Sequence, residues 1–410
     1  MPKNKEFSVL SPLQMGDMWL AETHESIERS QRYIIRGKLG EGAFGEVRHG
    51  TDRITGQKVA LKFIRVSSKS GGLPRAVFRE LESLRQLGDC DHIVKLLDVY
   101  PNESQLCFVL EYLDSDLSEV ISNARALLPI SHVKAYSHML LKALSYVHFK
   151  QVIHRDIKPS NILITSTGIL KLADFGLARL ITDDTADACK TAFTYSSENN
   201  AKGTPINSTR NLSHQVATRW YRPPELLFAS RSYTFSADIW SAGVVIAELF
   251  SLRPIFPGNN DIDQMFRVFQ IMGSPTTDNW PGVDLLPDFN KVGFADLKPI
   301  SLSVILPHLS PPDYKFLQSM IVLDPCKRCT AAEAVRFEYF LVHPLPTEPF
   351  LLPCPTRRKS ACEGAVCKSK PPEPSSSVKS ADVAQTEWEK ESHRIDNLLT
   401  HVMDASTVGG

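Results

Sequence analysis

The amino-acid sequence predicts an α+β protein of two lobes, a small β-rich lobe followed by a larger helical lobe. Extended, β-branched apolar runs dominate about the first 80 residues after Tyr33, and a single helical pattern interrupts them. After Leu117, apolar residues recur at spacings of three and four, as in helices that pack on a core. Strands and helices that are segregated along the chain in this way are typical of α+β architectures.

The small lobe is predicted to contain five strands and one helix. The strands are expected at 33–35, 46–49, 59–66, 94–99 and 105–112. The helix follows the third strand, where Pro74 suits a first helical turn and Val77, Leu81 and Leu84 recur on one face. Glycine, serine and threonine residues separate the third strand from its neighbours, which favours turns there.

The large lobe is predicted to be mainly helical, with short strands near its start. Helices are expected at 133–148, 236–250, 262–272 and 314–323, and strands at 152–153, 162–164 and 170–172. Between these segments, residues 180–212 are rich in serine, threonine and asparagine and show almost no periodicity. A loop of this length without structure of its own is usually functional or disordered.

The boundaries of the predicted domain follow from these changes in composition. We expect an N-terminal extension at 1–32, a globular domain at 33–340 with lobes at 33–113 and 114–340, and a mostly disordered tail at 341–410. The tail prediction rests on a stretch rich in proline, serine and lysine after Leu352. A short amphipathic helix around Trp388 is expected to close the chain.

Composition excludes several classes of function. Lysine and arginine number 46, as do aspartate and glutamate, so the chain lacks the basic surplus typical of nucleic-acid binding. No apolar run approaches the roughly 18 residues that a membrane span needs, and Met1 to Phe7 have no apolar signal core. We therefore expect neither a nucleic acid nor a membrane as a partner.

The cysteines indicate a reducing compartment. Eight cysteines are scattered without a disulfide framework, which favours the cytoplasm, the nucleus or both. Cys326 and Cys329 form a lone CxxC, and no second pair at zinc-ligand spacing accompanies it.

A glycine-rich segment, Gly40-Glu-Gly-Ala-Phe-Gly-Glu-Val47, is the first motif that carries chemistry. By itself, a GxGxxG pattern is also compatible with a dinucleotide-binding turn or a plain hairpin. Here a strand follows the glycines, whereas a dinucleotide-binding turn leads into a helix. This order favours a hairpin whose backbone N–H groups cover phosphates.

Lys62 lies in the interior of a predicted strand, between apolar neighbours, so its ammonium needs a partner. Glu80 on the following helix is the candidate counterion. A buried Lys–Glu pair is costly as a purely structural feature. A phosphate bound nearby would account for both residues.

A second cluster follows in the large lobe. His154-Arg155-Asp156 and Asn161 lie on a loop between short strands, and Asp174 opens an Asp-Phe-Gly segment 13 residues after Asn161. Carboxylate and amide oxygens suit Mg²⁺, which is usually shared with substrate phosphates. Each motif alone could be a capped turn, but their joint order and spacing point to phosphate chemistry.

Together, these motifs resemble the signature set of the eukaryotic protein kinases, in the same order along the chain. Pro223-Pro224-Glu225 stands where the family carries Ala-Pro-Glu, and the resemblance runs from about Tyr33 to Phe340. It implies a bilobal kinase fold, use of ATP and Mg²⁺, and transfer of the γ-phosphate to protein hydroxyls.

The resemblance also implies a role for individual residues. The ATP contacts would be Leu39, Gly40, Glu41, Gly42, Ala43, Phe44, Gly45, Glu46, Val47, Lys62, Glu111, Leu113 and Asp116. Glu111 and Leu113 would belong to the hinge that binds the adenine through its backbone, and Asp116 would meet the ribose. Asp156 would accept the proton of the substrate hydroxyl, and Lys158 favours serine and threonine over tyrosine as acceptor. The remaining catalytic residues would be Lys62 and Glu80, and Asn161 and Asp174 would bind Mg²⁺.

Other segments narrow the resemblance within the family. Val216–Arg222 and Pro254–Gly258 are similar to the cyclin-dependent and MAP kinases, but Ser213-His214-Gln215 lacks the tyrosine of the MAP kinase Thr-x-Tyr motif. The region Trp280–Asn290 is most similar to the cell-cycle-related kinase and to the kinase that activates cyclin-dependent kinases. This branch implies proline-directed serine/threonine substrates and a role in the cell cycle or signalling.

Two alternative functions remain at this point. One is a MAP-kinase-like kinase, and the other is a pseudokinase scaffold that binds partners without transferring phosphate. A scaffold of that kind would be expected to have lost Lys62, Asp156 or Asp174, and all three are present.

The resemblance further implies partners and a regulatory phosphosite. The partners would be protein substrates, an upstream activating kinase and a cyclin or cyclin-like activator. Ser213 lies three residues before Val216, where relatives are phosphorylated, and Arg79, Arg155 and Arg179 would meet its phosphate.

Overall fold

The computed structural model describes residues 31–42, 45–65, 75–102, 105–181, 216–230, 234–293 and 296–353. Several predicted features lie outside these residues. They include most of the N-terminal extension, Ala43 and Phe44 of the glycine-rich segment, nearly all of the predicted loop at 180–212, the adjacent Ser213, and the tail from residue 354. Within the described part, the chain forms a β-rich lobe and a helical lobe, which confirms the predicted bilobal α+β architecture.

Five antiparallel strands form the sheet of the small lobe, in the order β1-β2-β3-β5-β4. They are β1 (Tyr33–Gly42), β2 (Gly45–Asp52), β3 (Lys58–Arg65), β4 (Leu96–Asn102) and β5 (Gln105–Glu111). The register places Lys62 in the middle of the sheet, between Val47 of β2 and Phe108 of β5. The fourth strand begins two residues later than predicted, because the N–H of Val94 donates to Leu172 of the large lobe instead.

Helix α1 (Arg75–Gln86) packs against both lobes. Its first half, with Val77 and Leu81, belongs to the cluster under the small-lobe sheet, and Leu84 belongs to the core of the large lobe. Glu80, directly before Leu81, is also buried. The helix is therefore placed to bring a carboxylate to the boundary between the lobes.

The large lobe is built on helices, as predicted. They are α2 (Leu117–Asn123), α3 (Ile130–Phe149), α4 (Pro224–Leu227), α5 (Ser236–Ser251), α6 (Asp261–Met272), α7 (Leu302–Ile305), α8 (Pro311–Met320) and α9 (Ala331–Val335). Helix α5 is buried along nearly its whole length and forms the centre of the lobe. Helix α8 begins before the predicted residue 314, because Ser310 and Asp313 form a capping box that starts the helix at Pro311. Among the described helices, none combines the length and the apolar character that crossing a membrane requires.

Five short strands carry the loops that face the small lobe. They are β6 (Ser115–Asp116), β7 (Val152–Ile153), β8 (Ile162–Ile164), β9 (Leu170–Leu172) and β10 (Arg179–Leu180). Strands β6, β8 and β9 form one sheet, and β10 pairs with β7. The pairing with β7 places Leu180 in a strand, so Leu180 does not belong to the predicted loop, and residues 182–212 of that loop lie outside the described residues.

The packed structure continues beyond the predicted domain end at 340. The Lys134 ammonium on α3 donates to the carbonyl of Val342 at 2.6 Å, and the Tyr136 hydroxyl donates to the carbonyl of Pro353 at 2.7 Å. Leu352 is buried in the core of the large lobe. Residues 341–353, which were predicted to belong to the mostly disordered tail, therefore lie along α3. The rest of the predicted tail, from residue 354, falls outside the described residues.

One buried ion pair of the large lobe joins α4 to the segment between α8 and α9. Both Arg328 guanidinium nitrogens Nη1 and Nη2 donate to the Glu225 carboxylate, at 2.7 and 2.8 Å. Arg328 also donates to three backbone carbonyls and stacks over Trp240 of α5. Glu225 lies on α4, which directly follows the segment 216–223. The pair thus links that segment to the core.

Replacing Arg328 by alanine should destabilise the domain strongly, because the Glu225 carboxylate would stay buried without its cation. We expect a loss of about 3–5 kcal/mol in the free energy of unfolding, measured by urea denaturation. Lys291→Ala is the control, since Lys291 pairs with Asp288 at 2.6 Å but its side chain is 69% exposed. The control should lose less than about 1 kcal/mol. Equal losses in the two variants would contradict the assigned role of the buried pair.

Candidate active site

Lys62 of β3 lies at the centre of a charged group between the lobes. Its Nζ is 2.6 Å from Glu80 Oε1 on α1 and 3.3 Å from Asp174 Oδ1, which opens the Asp-Phe-Gly segment. The structure therefore brings together three residues, of which Lys62 and Asp174 lie 112 positions apart in the sequence. Glu80 is the counterion that the sequence predicts, and Asp174 is a second carboxylate partner.

This arrangement keeps the ammonium charged. Burial lowers the pKa of Lys62, but the carboxylates of Glu80 and Asp174 outweigh burial and raise the pKa above its usual value. Burial raises the pKa of Asp174, and Lys62 and His154 together lower it below its usual value. A fixed cation beside an ionised carboxylate suits the binding of polyphosphate together with a metal ion.

The glycine-rich segment forms the β1–β2 hairpin, as predicted. Gly45 is required by the fold, because a Cβ on it would lie 1.7 Å from the Phe63 carbonyl oxygen. Gly40 differs, since a Cβ there would meet no atom of the described chain within 4 Å. Packing among the described residues therefore gives no reason for Gly40, and close approach of a ligand to the hairpin would supply one. The side chains of Glu41 and Glu46 pair with neighbouring lysine and arginine residues on the hairpin.

The loop from His154 to Asn161, called the catalytic loop below, contains a carboxylate that two side chains hold. Lys158 Nζ is 2.8 Å from Asp156 Oδ2, and Asn161 Nδ2 donates to the same oxygen at 2.9 Å. Asn161 Nδ2 also donates to the backbone carbonyl of Asp156. Because the Asn161 amide nitrogen faces Asp156, its carbonyl oxygen is available as a metal ligand. These contacts join Asp156, Lys158 and Asn161 into one unit, as the sequence predicts.

A buried carboxylate on α5 holds this loop. Asp238 accepts the N–H groups of His154 and Arg155, each at 2.8 Å, and lies 3.0 Å from His148 Nε2. Arg155 has a positive φ of 70°, a conformation that a non-glycine residue adopts only when its surroundings impose it. The role of Asp238 as the anchor of the loop becomes evident from the structure alone.

The Asp-Phe-Gly segment is aligned by the same loop. The ring of Phe175 is buried and packs edge-on against His154, with ring centroids 4.7 Å apart. His154 Nε2 lies 3.0 Å from the Ala173 carbonyl, and the Ala173 N–H donates to the Asn161 carbonyl at 2.9 Å. The backbones that carry Asn161 and Asp174 are therefore neighbours, which suits two ligands of one metal ion.

The segment that connects the lobes contains the predicted adenine contacts. Leu113 is buried there, and Glu111 ends β5 with its side chain directed to Lys171 and to the Lys95 N–H. Asp116, predicted to meet the ribose, is buried and caps α2 by accepting the N–H of Glu119. The ribose contact stays a prediction, and the structure adds a capping role to this residue.

Most of this chain is similar to known proteins. A family model described as a protein kinase domain matches residues 33–340. Cyclin-dependent kinase 20 of Danio rerio is 41% identical over 326 residues, which cover 80% of this chain and 88% of that protein. Cyclin-dependent kinase 20 of Homo sapiens is 38% identical over the same length. Cyclin-dependent kinase D-1 of Arabidopsis thaliana is 38% identical over 332 residues, which cover 81% of this chain and 77% of that protein.

The chain belongs to the cyclin-dependent kinase branch of the protein kinases. This membership confirms the resemblance on which the sequence interpretation rests. It also confirms that the protein is an enzyme of the protein kinase class.

Two of the three arginines predicted to meet a phosphate at Ser213 lie on neighbouring backbone in this kinase. Arg179 of β10 pairs in register with Ile153, two residues before Arg155. Arg79 is exposed on α1, directly beside Glu80. Ser213 lies outside the described residues, so its place relative to the arginines stays a prediction.

The segment before α4 contains contacts that the sequence interpretation did not identify. Arg219 Nε is 2.7 Å from Asp261 Oδ1 at the start of α6, and Arg222 is 3.6 Å from the same oxygen. The Trp220 indole N–H donates to the Gly258 carbonyl at 3.0 Å. The ion pairs join residues about 40 positions apart, and no local pattern in the sequence signals them. They hold this segment of the kinase against α6.

Tyr221 of the same segment is held by a buried acid. Its hydroxyl donates to Glu248 Oε2 on α5 at 2.7 Å, and the Ser241 hydroxyl donates to its carbonyl. Burial raises the pKa of Glu248 to about 7, and the hydrogen bond from Tyr221 only partly opposes this rise. Glu248 therefore exchanges its proton near neutral pH in the folded kinase.

The stability of the kinase should depend on the protonation of Glu248. Between its usual pKa of 4.5 and the folded value of about 7, the folded state holds a proton that the unfolded chain has released. The free energy of unfolding should therefore decrease as the pH rises through this window and level off above it. The decrease should reach about 3 kcal/mol at most.

Glu248→Gln removes this titration and preserves the shape of the side chain. Urea denaturation of both proteins at pH 5, 6, 7 and 8 should show the wild type losing stability relative to the variant as the pH rises. Two parallel stability profiles would show that Glu248 does not titrate in this range.

Proposed function

We propose that this kinase transfers the γ-phosphate of ATP to serine and threonine hydroxyls of protein substrates. The observation that carries the proposal is the unit formed by Asp156, Lys158 and Asn161, with Lys158 Nζ 2.8 Å from the Asp156 carboxylate. A carboxylate held in this way can orient a hydroxyl and accept its proton, and the adjacent lysine can stabilise the charge on the transferred phosphoryl group.

The other groups of the site take complementary roles. Lys62, fixed by Glu80, would bind the α- and β-phosphates, and the β1–β2 hairpin would cover the phosphates with its backbone N–H groups. Asn161 and Asp174 fit a magnesium ion, because both offer oxygen ligands and their backbones are neighbours. When bound, the ion would neutralise charge on the phosphate oxygens.

The finer assignment follows the family. The similarity to cyclin-dependent kinase 20 and cyclin-dependent kinase D-1 supports a role related to the cell cycle, proline-directed substrates, and regulation by an upstream kinase and a cyclin-like activator. The presence of Lys62, Asp156 and Asp174 in one connected site argues against a pseudokinase scaffold.

Replacing Asp156 by asparagine tests the proposed chemistry. Transfer to a serine-proline peptide should fall by roughly 10²–10⁴-fold, the range for loss of a general base, and nucleotide binding should persist. Lys62→Met should lower transfer through loss of phosphate positioning. Asp278→Asn, at an exposed position, is the control and should retain wild-type activity.

The outcomes separate the candidate functions. Wild-type rates in both active-site variants would overturn the assignment of these residues. A wild-type protein that binds ATP but phosphorylates no peptide of a serine/threonine array would favour the scaffold. Preference for peptides without proline after the acceptor would contradict the proline-directed assignment.

We also propose that phosphorylation of Ser213 activates the kinase. Arg79, Arg155 and Arg179 belong to three separate elements, and a phosphate of about −1.5 to −2 charges can draw such a group together. Arg79 is adjacent to Glu80, so ordering α1 in this way would stabilise the Lys62–Glu80 pair.

Ser213→Ala should therefore lower the activity gained on treatment with an upstream activating kinase. Ser208→Ala is the matched control, because Ser208 lies five residues before Ser213 in the predicted loop at 180–212, and this variant should respond like wild type. Peptide phosphorylation and protease sensitivity of the segment before α4 are the two measurements. Equal activity and equal protease sensitivity in the Ser213 variant and wild type would overturn the switch.

A further inference from the structure

A second buried lysine lies close to the nucleotide site, on the strand that leads to Asp174. Lys171 of β9 places its Nζ 2.8 Å from Glu111 Oε1, and its side chain is only 7% exposed. A cation buried to this degree is costly unless its partner is well placed. The pair joins a strand of the large lobe to the last residue of β5 in the small lobe.

The Glu111 carboxylate is also held by the backbone of Lys95. The Lys95 N–H donates to the same Oε1 atom at 2.7 Å, and the Glu111 N–H donates to the Lys95 carbonyl at 3.0 Å. The carboxylate is therefore fixed by two donors from different parts of the chain.

Strand β9 is tied to the same stretch of backbone. The Val94 N–H donates to the Leu172 carbonyl at 3.0 Å, and the Leu172 N–H donates to the His92 carbonyl at 2.8 Å. Ile93 and Leu172 form a parallel bridge. Residues 92–95, the end of β5 and β9 thus form one connection between the lobes, and Lys171–Glu111 is its ion pair.

Both ends of this pair lead directly to the nucleotide. Glu111 is two residues before Leu113, in the segment assigned to adenine, and Lys171 is three residues before Asp174, which is assigned to the metal and phosphates. The pair therefore controls the separation between the two ends of the bound nucleotide. A small displacement of one end is costly, because binding of both ends requires fixed geometry.

We propose that Lys171 is a positioning residue for nucleotide binding, acting through its ion pair with Glu111. The pair fixes the segment that connects the lobes relative to the strand that carries Asp174, and it thereby sets the affinity for ATP. This inference rests on the proposed function, since it takes the adenine site to be the segment after Glu111.

Lys171→Met tests the inference, since methionine keeps the apolar stem and removes the charge. The KM for ATP should rise by about tenfold, and kcat at saturating ATP should change less than about twofold. Lys95→Met is the matched control: the Lys95 backbone belongs to the same connection, but its side chain is 45% exposed and pairs with Asp91. The control should keep the wild-type KM.

A double variant separates positioning from simple charge neutralisation. Lys171→Met leaves the Glu111 carboxylate without its cation, and adding Glu111→Gln removes that stranded charge. The thermal midpoint of the double variant should recover, but its KM for ATP should stay raised. If KM and the thermal midpoint recover together, or if Lys171→Met leaves KM unchanged, the positioning role is overturned.

Glu111→Gln alone covers the case in which Lys171→Met fails to fold. Its amide oxygen can still accept the Lys95 N–H, so the folded variant should show a KM for ATP raised by about threefold. An unchanged KM in this variant would also overturn the inference. A wild-type protein without ATP turnover would instead refute the proposed function, so the two failures are distinguishable.

Discussion

The catalytic loop depends on one buried carboxylate. Asp238 of α5 accepts two consecutive backbone N–H groups of the loop and contacts His148, and it is almost completely buried. Burial raises the pKa of Asp238, but His148 and the other donors outweigh it and lower the pKa below its usual range. These two hydrogen bonds hold the backbone of His154 and Arg155, Arg155 has a positive φ, and Asp156 follows directly. Since α5 is buried along nearly its whole length, the loop that carries Asp156, the residue assigned to the substrate hydroxyl, is anchored in the core.

Buried ion pairs connect the parts of the chain that form the active site. Lys62–Glu80 joins β3 to α1, and Arg328–Glu225 joins α4 to the core of the large lobe. Lys171–Glu111 joins the two lobes. A buried pair contributes little net stability, because the cost of desolvation offsets most of the attraction between the charges. Its geometric demand is high, however, since each charge is stable only beside its partner. These pairs therefore serve mainly to select one arrangement of the segments that form the active site.

The acidic side chains of the site divide into two groups. Asp156 and Asp174 hold contacts that suit the reaction, whereas Asp116 caps α2 and Asp261 pairs with arginines of the segment before α4. Residue type alone does not distinguish these groups. The distinction arises from whether a carboxylate faces a backbone N–H at a helix start or the cleft between the lobes.

Local pattern and motif order were sufficient to predict the two lobes, the five strands, the helix with Glu80 and the main residues that the structure brings together in the candidate active site. These features rest on short-range periodicity and on chemistry such as the Lys62–Glu80 pair, which a lysine inside an apolar strand already implies. The anchoring by Asp238, the Lys171–Glu111 connection, the Asp261–Arg219 pair and the packing of residues 341–353 on α3 became evident only from the tertiary structure. Each of them joins positions that lie far apart in the chain, and such contacts depend on how the elements pack, which no local pattern encodes.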